Sequence, residues 1–431
     1  MKQNFQNAII ATVLSFVLLS LTIGGLIQVE GIETTVVARP WYVVIGCTIV
    51  FIIQLFRDQL VFVFKGFGNV LKTLVRAEQI AEHAIQLKGS DRFNPLFYLT
   101  VLICLSVYPF IVSDKLWIGM FIDIYIYILL ALGLNIVVGY AGLLNLGYIA
   151  FYAVGAYTYG ILNHFYDFSF WLALPLSGMT AALAGIILGF PVLRLRGDYL
   201  AIVTLGFGQV LVILLRNLGS ITGGPDGIGS IDRPTMFGIE FSRRAKEGGV
   251  PFHEFFGLEY NSIIKDFFFY FLALALVIFT IYVISRLVKM PIGRSWEALR
   301  EDETACKSLG INSTSVKLSA FAISSFFAGL AGCFFAAKQR HISPESFEFI
   351  ESVIVLAIVV MGGMGSTIGI ILAAIFVAVL KDYSQDLQEY RMLIFSLILI
   401  VMMIWRPRGL FPATRPFIKL QNRQKSQECG C

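Results

Sequence analysis

Asp123 is the one clear acid in an otherwise apolar run, 116–138. An ionised side chain at membrane depth is costly and by default marks a solute pathway or a proton relay. Asp123 stands about two helical turns from the run's predicted outer end, close enough to reach water. A relay would stack several acids or histidines at one depth. His164 and His341 instead fall at the outer ends of other runs, so no ion-coupling ladder is legible. Cys47, Cys104 and Cys333 lie inside apolar runs, where cysteine behaves as a small hydrophobe. Cys429 and Cys431 end the chain, and such a pair is too few ligands for a metal; it reads as a frayed polar terminus or, alternatively, a lipidated tail. The chain has no Gly-Lys pair, hence no P-loop, and no zincin or Gly-x-Ser-x-Gly motif. A chain with neither a nucleotide site nor a relay, yet built into a membrane, points to a partner that supplies the energy.

The elements that carry these residues are hydrophobic. Apolar residues make up 57% of the chain and charged residues 14%, far from a soluble domain's balance. Runs 8–29, 116–138, 267–288 and 318–337 are each about 20 residues, enough to cross roughly 30 Å of hydrocarbon as helices. Weaker runs are 41–64, 96–112, 141–163, 168–193, 199–215, 352–380 and 392–405. The expectation is an all-α, polytopic helical membrane protein of about 10–11 hydrophobic elements, some glycine-broken or re-entrant. The alternating pattern of a membrane barrel is missing. The first run is too long for a typical signal-peptide core and no small-x-small site follows it. It reads as a retained span.

Lys and Arg favour the cytoplasmic side of short loops. The tail carries Arg406, Arg408, Arg415, Lys419, Arg423 and Lys425, which places the C-terminus in the cytoplasm. Segments 65–92, 194–197 and 291–317 are basic and fall on the same side, and the N-terminus with them. The nearly charge-balanced loop 217–265 faces outward. An even number of crossings then requires a break in 351–380, with Gly362, Gly363, Met364, Gly365 and Ser366 at its centre. Gly139 to Gly142 is a similar interruption. Paired glycine breaks point to a transporter's central pathway; turns between ordinary helices are the alternative. Ser325, Gly329, Gly332 and Ala336 form a small-residue stripe, as do Ala181, Gly185 and Gly189, and Ala156 with Gly160. Such stripes let helices pack closely, within the chain or between subunits.

Segment 291–317 is polar yet patterned. Trp296, Leu299, Cys306 and Leu309 share one face of a helix, with Arg294, Arg300, Glu301, Glu303 and Lys307 filling the rest. An amphipathic helix tethered between two spans presses either on a partner or on lipid headgroups.

This segment resembles the coupling loop of permease subunits in bacterial ABC importers, whose pattern is Glu-Ala-Ala, three variable residues, then Gly. Thr304-Ala305-Cys306-Lys307-Ser308-Leu309-Gly310 keeps that spacing, with Thr304 in place of Glu and Cys306 in place of the second Ala. Small residues allow a close seat and Gly310 lets the chain turn out of the helix. More of the chain is similar to the branched-chain amino-acid permease family. Gly142-Leu143-Leu144-Asn145-Leu146-Gly147 runs into Ala150-Phe151-Tyr152-Ala153-Val154-Gly155-Ala156-Tyr157, and Arg196-Gly197-Asp198-Tyr199-Leu200-Ala201 continues to Gly206-Phe207-Gly208. Thr222-Gly223-Gly224-Pro225-Asp226-Gly227-Ile228 and Gly362 to Ser366 follow. The resemblance covers roughly 116–412, and the N-terminal extension fits the longer LivM-like branch.

The resemblance implies one permease of a heterodimer in a bacterial inner (cytoplasmic) membrane. A second homologous permease, two ATP-binding subunits and a periplasmic amino-acid-binding protein would be its partners, with the lipid bilayer around it and no nucleic acid. Leucine, isoleucine or valine would be the cargo. ATP and Mg would sit in the partner ATPases and no cofactor in this chain, which would not itself be an enzyme. Domain limits follow: an N-terminal extension with two spans and a cytoplasmic connection at 1–95, a permease domain at 96–412 including a coupling loop at 289–317, and a basic tail at 413–431. Thr304, Ala305, Cys306 and Gly310 are the docking candidates, with Trp296 and Leu299 seating the helix. Asn145, Gly206, Gln209, Gly363 and Ser366 are the pathway candidates, because a zwitterion crossing here needs backbone or amide groups to replace water without holding it too firmly. Thr222 to Ile228 reads as an outer turn that is structural or touches the binding protein. Two other classes compete: a stand-alone secondary transporter or channel for small polar solutes, and a membrane-embedded enzyme. The missing relay weighs against the first, and the scattering of Asp123, His164 and His341 against the second.

Overall fold

A computed structural model describes residues 25–30, 33–38, 106, 108–109, 115–192, 198–235, 239–240, 250–251, 262–383, 400 and 409. Runs 41–64 and 392–405, the basic segments 65–92 and 194–197 (all but a few residues) and the two tail cysteines lie outside the described residues, as does most of the run 96–112. The chain divides into two compact units, Met1–Val101 and Leu102–Cys431.

In the first unit the described residues form an antiparallel hairpin, β1 (Gly25–Glu30) with β2 (Glu33–Ala38), in which Gly25 faces Ala38 and Glu30 faces Glu33. The end of the run read as a span at 8–29 is therefore strand. Ile27, Gln28, Val29 and Glu30 alternate apolar and polar, and Thr34, Thr35, Val36 and Val37 are β-branched, which favours a pleated ribbon over a helix.

The second unit is helical, as its apolar runs predict. Its elements are α1 (Lys115–Asn135), α2 (Ile149–Tyr166), α3 (Phe170–Val192), α4 (Asp198–Asn217), α5 (Ser262–Lys289), α6 (Pro291–Glu301), α7 (Glu303–Ser308), α8 (Ser313–Gln339), α9 (Phe349–Gly362) and α10 (Thr367–Tyr383). A minimal parallel bridge of β3 (Ile239–Glu240) and β4 (Val250–Pro251) lies in the loop before α5. Among the described residues, α1 with its terminal turn, α3, α4, α5 and α8 are long and apolar enough to cross a membrane, and α10 is a shorter apolar helix. The expected broken segment at 351–380 is the hairpin of α9 and α10.

Burial sorts these helices. α1 and α8 are central and mostly buried, whereas α4 is mostly half-buried or exposed. Exposed Tyr199, Ile202, Val210 and Ile213 on α4, and Leu172, Met179, Leu183 and Ile187 on α3, make an apolar exterior suited to lipid or protein rather than water.

Small residues decide the packing of α2, α3 and α8. A Cβ at Gly155 would lie 2.3 Å from the Gly329 carbonyl oxygen, one at Gly332 2.2 Å from that of Tyr152, and one at Gly329 2.4 Å from that of Ser177. A Cβ at Gly185 would meet Ser325 Oγ at 2.4 Å. The α8 stripe is thus packed against α2 and α3 within this chain, backbone on backbone at Gly155, Gly329 and Gly332, whereas Gly160 and Gly189 face the side chains of Ile342 and Leu318. Helix ends follow their capping chemistry. Pro291 occupies the first turn of α6, where no N–H is needed. Asn312 Oδ1 accepts from the Thr314 and Ser315 amides at the start of α8, and α8 ends on Arg340 in the left-handed region. Beyond it, Ile342 exchanges backbone hydrogen bonds of 2.9 and 3.0 Å with Ile228. That bridge needs Gly227, at φ 73°, since a Cβ there would sit 1.9 Å from the Ile342 carbonyl oxygen. Thr222 and Ile228 are buried, so the turn 222–228 serves the fold.

Candidate functional site

The polar segment is not one helix. Asp302 is extended (φ −157°, ψ 112°) and separates α6 from α7. Its carboxylate caps α7, accepting from the Thr304 amide at 2.7 Å and the Ala305 amide at 3.1 Å. These two backbone donors hold its pKa below the usual carboxylate range. α7 closes with a Schellman motif: Gly310 N–H donates to the Lys307 carbonyl, Ile311 N–H to that of Cys306, and Gly310 takes φ 79°.

Trp296, Leu299 and Cys306 point inward and are buried, with Trp296 Nε1 donating to Ser319 Oγ at 3.0 Å. They fix the segment to its own membrane domain. Leu309, expected on that same face, is 79% exposed, because α7 stops at Ser308 and Leu309 is its C-cap. Thr304, Ala305, Lys307, Ser308 and Gly310 are also exposed, and nothing lies within 4 Å of a Cβ built at Gly310. Glu303 ties α7 to the first turns of α8: it pairs with Lys317 and with Lys307, each at 3.0 Å. Partial burial raises its pKa, but both ammonium groups outweigh that and the net direction is down.

α6 also reaches the first glycine break. Arg300 Nη1 donates to the Gly139 carbonyl, and Arg300 Cγ would lie 2.7 Å from a Cβ at Gly142. Gly139 belongs to a π-helical turn, Ile136–Tyr140, that ends α1. The two glycine breaks meet there. Asn135 Oδ1, fully buried on α1, accepts from the Gly365 amide at 2.9 Å, and Tyr140 Oη lies 3.5 Å from Thr367 Oγ1. A Cβ at Gly139 would sit 1.8 Å from Asn135 Oδ1 and 2.6 Å from the Gly365 nitrogen. Arg300 and Gly139, and then Asn135 and Gly365, form a line of direct contacts from α6 to the turn of the α9–α10 hairpin.

The pathway candidates divide. Gly363 (φ 106°) ends α9, and Ser366 Oγ caps α10 by accepting from the Gly369 amide at 3.2 Å. Both sit in the hairpin turn beside Asn135. Asn145 is buried in the segment after α1, its Oδ1 taking the Gly147 amide while its Nδ2 has no partner among the described residues. That segment is clasped from two sides: Leu146 N–H donates to Thr204 Oγ1 at 3.1 Å and Ser352 Oγ to the Leu146 carbonyl at 2.6 Å. Gly206 faces open space on α4, and Gln209 is half-buried on the same helix. They are not brought into the Gly139–Gly365 contact.

One cluster was missed by the sequence reading. A cavity of about 280 Å³ is lined by Asp123, Tyr127, Glu351 and Lys381, with Ile126 and Leu130 among its apolar walls. Lys381 Nζ pairs with Glu351 Oε1 at 2.9 Å and with Tyr127 Oη, which donates to Glu351 Oε2 at 2.9 Å. Asp123 pairs with Lys338. Glu351 and Lys381 stood at opposite edges of one long apolar stretch, and only the hairpin's fold-back signals that they face each other. His164 and His341 are exposed and belong to neither site. No group of three or more His, Cys, Asp or Glu is placed to hold a metal among the described residues.

Comparison with known proteins agrees in kind. A family model described as the permease component of branched-chain amino acid transport systems matches residues 117–403. A second model, described only as a domain of unknown function, matches 3–104. The high-affinity branched-chain amino acid transport system permease protein LivM of Escherichia coli (strain K12) is 49% identical over 424 residues, 96% of each chain. LivM of Salmonella typhimurium is 47% identical over 98% of each chain. BraD of Pseudomonas aeruginosa, a permease of the same description, is 23% identical over 66% of this chain and 91% of its own. No solved structure matches significantly.

Proposed function

The chain belongs to the branched-chain amino-acid transport permease family and is a multi-pass membrane permease subunit of a branched-chain amino-acid ABC importer; from that premise we propose how it is assembled and driven. It pairs with a second, homologous permease in the bacterial inner membrane, with both termini in the cytoplasm. Two ATP-binding subunits dock from the cytoplasm and hold the ATP and Mg. A periplasmic binding protein delivers leucine, isoleucine or valine. The 96–412 portion is the permease proper, the 1–95 portion an added pair of spans, and 413–431 a cytoplasmic tail.

Docking falls on the exposed face of α7: Thr304, Ala305 and Gly310, joined by Leu309. Trp296, Leu299 and Cys306 serve it from behind, as the anchor that makes α6 and α7 a lever rather than a loose loop. The observation that supports this most is the Arg300–Gly139 contact, which joins the lever to the glycine breaks. When ATP draws the two ATPases together, α7 moves with them, α6 follows, and the Gly139–Asn135–Gly365 junction changes. Two discrete arrangements of that junction give alternating access.

Affinity purification of the tagged chain in mild detergent tests the assembly. ATPase subunits and a second permease are expected in the eluate, and replacing Ala305 and Gly310 by Trp should release the ATPases while the chain stays inserted. Normal ATPase binding and undiminished uptake by that double variant would refute docking on this face. Uptake that persists in vesicles lacking the ATPases but holding an ion gradient would favour the stand-alone transporter instead.

A further inference from the structure

The cavity among α1, α2, α8, α9 and α10 has a composition suited to cargo: we propose that it is a transient binding subsite for the zwitterionic aliphatic amino acid itself. The proposal rests on the importer reading above.

Three observations converge. The first is composition. The cavity carries both charge signs together, Glu351 beside Lys381, with Asp123 at its edge backed by Lys338. An amino acid's ammonium needs a carboxylate and its carboxylate an ammonium. Ile126, Leu130, Ile149 and Ala378 supply an aliphatic wall for a branched side chain. The second is size. About 280 Å³ falls just below the roughly 300–1,000 Å³ of pockets for drug-sized ligands, which suits a solute of a few heavy atoms. The third is access. The side chains of Glu351 and Lys381 are 28% and 27% exposed, and that of Asp123 41%, so the cavity opens outward. It lies at the end of α9 and α10 remote from the Gly363–Ser366 turn, opposite the α6–α7 lever.

A charged site would trap cargo if its charges stood bare. Here each is already paired, so an entering amino acid exchanges one set of ion pairs for another. Its ammonium takes Glu351 from Lys381 while its carboxylate takes Lys381 from Glu351, and Tyr127 Oη adjusts between them. The gain is small, which is the condition for leaving again toward the cytoplasm. Because Glu351 starts α9 and Lys381 ends α10, occupancy also loosens the staple across the open end of the hairpin.

The experiment uses the complete transporter, this chain with its co-purifying subunits, in lipid nanodiscs without binding protein. Ser346→Cys, a near-isosteric change on the cavity wall, is labelled with a small maleimide, and the labelled peptide is followed by mass spectrometry. Millimolar L-leucine should slow labelling at least fivefold. The amine 3-methylbutylamine, which lacks the carboxylate, should not, and Glu351→Gln should abolish the protection while labelling itself persists. Gln339→Cys at the exposed rim serves the same purpose if Ser346→Cys fails to assemble. No protection in a preparation that takes up leucine when the binding protein is restored overturns the proposal. Protection that survives Glu351→Gln, or that the bare amine gives equally, overturns it too. A preparation that takes up no branched-chain amino acid under any condition refutes the importer reading instead.

Discussion

Replacing Arg300 should separate ATP hydrolysis from transport. Its guanidinium donates to the Gly139 carbonyl at the end of α1, and its stem lies over Gly142. A hydrogen bond from a charged donor contributes about 1.5–3 kcal/mol. Gly139 is buried, so its carbonyl left without the donor carries a desolvation cost. If that contact transmits the motion of α6, its loss lowers the coupling constant between lever and hairpin by between about tenfold and a hundredfold, at 1.4 kcal/mol per decade. Arg300→Ala should therefore reconstitute with its ATPases and hydrolyse ATP, yet carry about a tenth or less of the leucine per ATP. Arg300→Lys keeps the charge and one donor and should fall between. The assay is proteoliposome uptake of labelled leucine with phosphate release measured in parallel. A ratio for Arg300→Ala within twofold of the native protein would refute the reasoning. So would a loss traced wholly to failed ATPase binding, since the contact would then only shape the docking face.

Other expectations concern the parts around that lever. Gly155→Val drives a side chain into the Gly329 backbone, which cannot move aside as a flexible side chain would; overpacking of this kind costs about 1–3 kcal/mol or more and should lower the detergent melting temperature by several degrees, whereas an unchanged melt would show that α2 and α8 can part. Ser366→Ala removes the cap of α10 and should cost about 0.5–2 kcal/mol, read as faster amide exchange at 367–370. Asp302 and Glu303 both have lowered pKa values in the folded chain, so the support they lend α7 is present above the unfolded carboxylate range and lost as pH falls through their folded values. Amide protection over 303–310 should hold from neutral pH down to about 5 and decline below about 4, and protection that instead declines between pH 8 and 6 would contradict the assignment.

The membrane-crossing helices were legible because long apolar runs have few other uses, and α1, α5 and α8 match their runs closely. Both glycine breaks were legible too, since Gly142, Gly363 and Gly365 take positive φ that other residues resist. That Asn135 and Gly365 touch was not, because a contact across most of the domain leaves no mark in local spacing. Leu309 was misplaced for a definite reason. Periodicity assumes a helix that runs on, whereas α7 ends at Ser308 and leaves Leu309 as its C-cap beside the Gly310 turn. Glu351 and Lys381 were passed over because each alone looks like the solvated end of an apolar stretch.

The close packing of α2, α3 and α8 has a kinematic consequence. Side chains that interdigitate can trade rotamers and let two helices slide. At Gly155, Gly329 and Gly332 main chain rests on main chain, and nothing there is soft enough to yield. Those three helices can only travel together, as one rigid stator. The degrees of freedom left to the subunit belong to what surrounds that block: the α6–α7 lever, the widened last turn of α1 and the hairpin hung beside it.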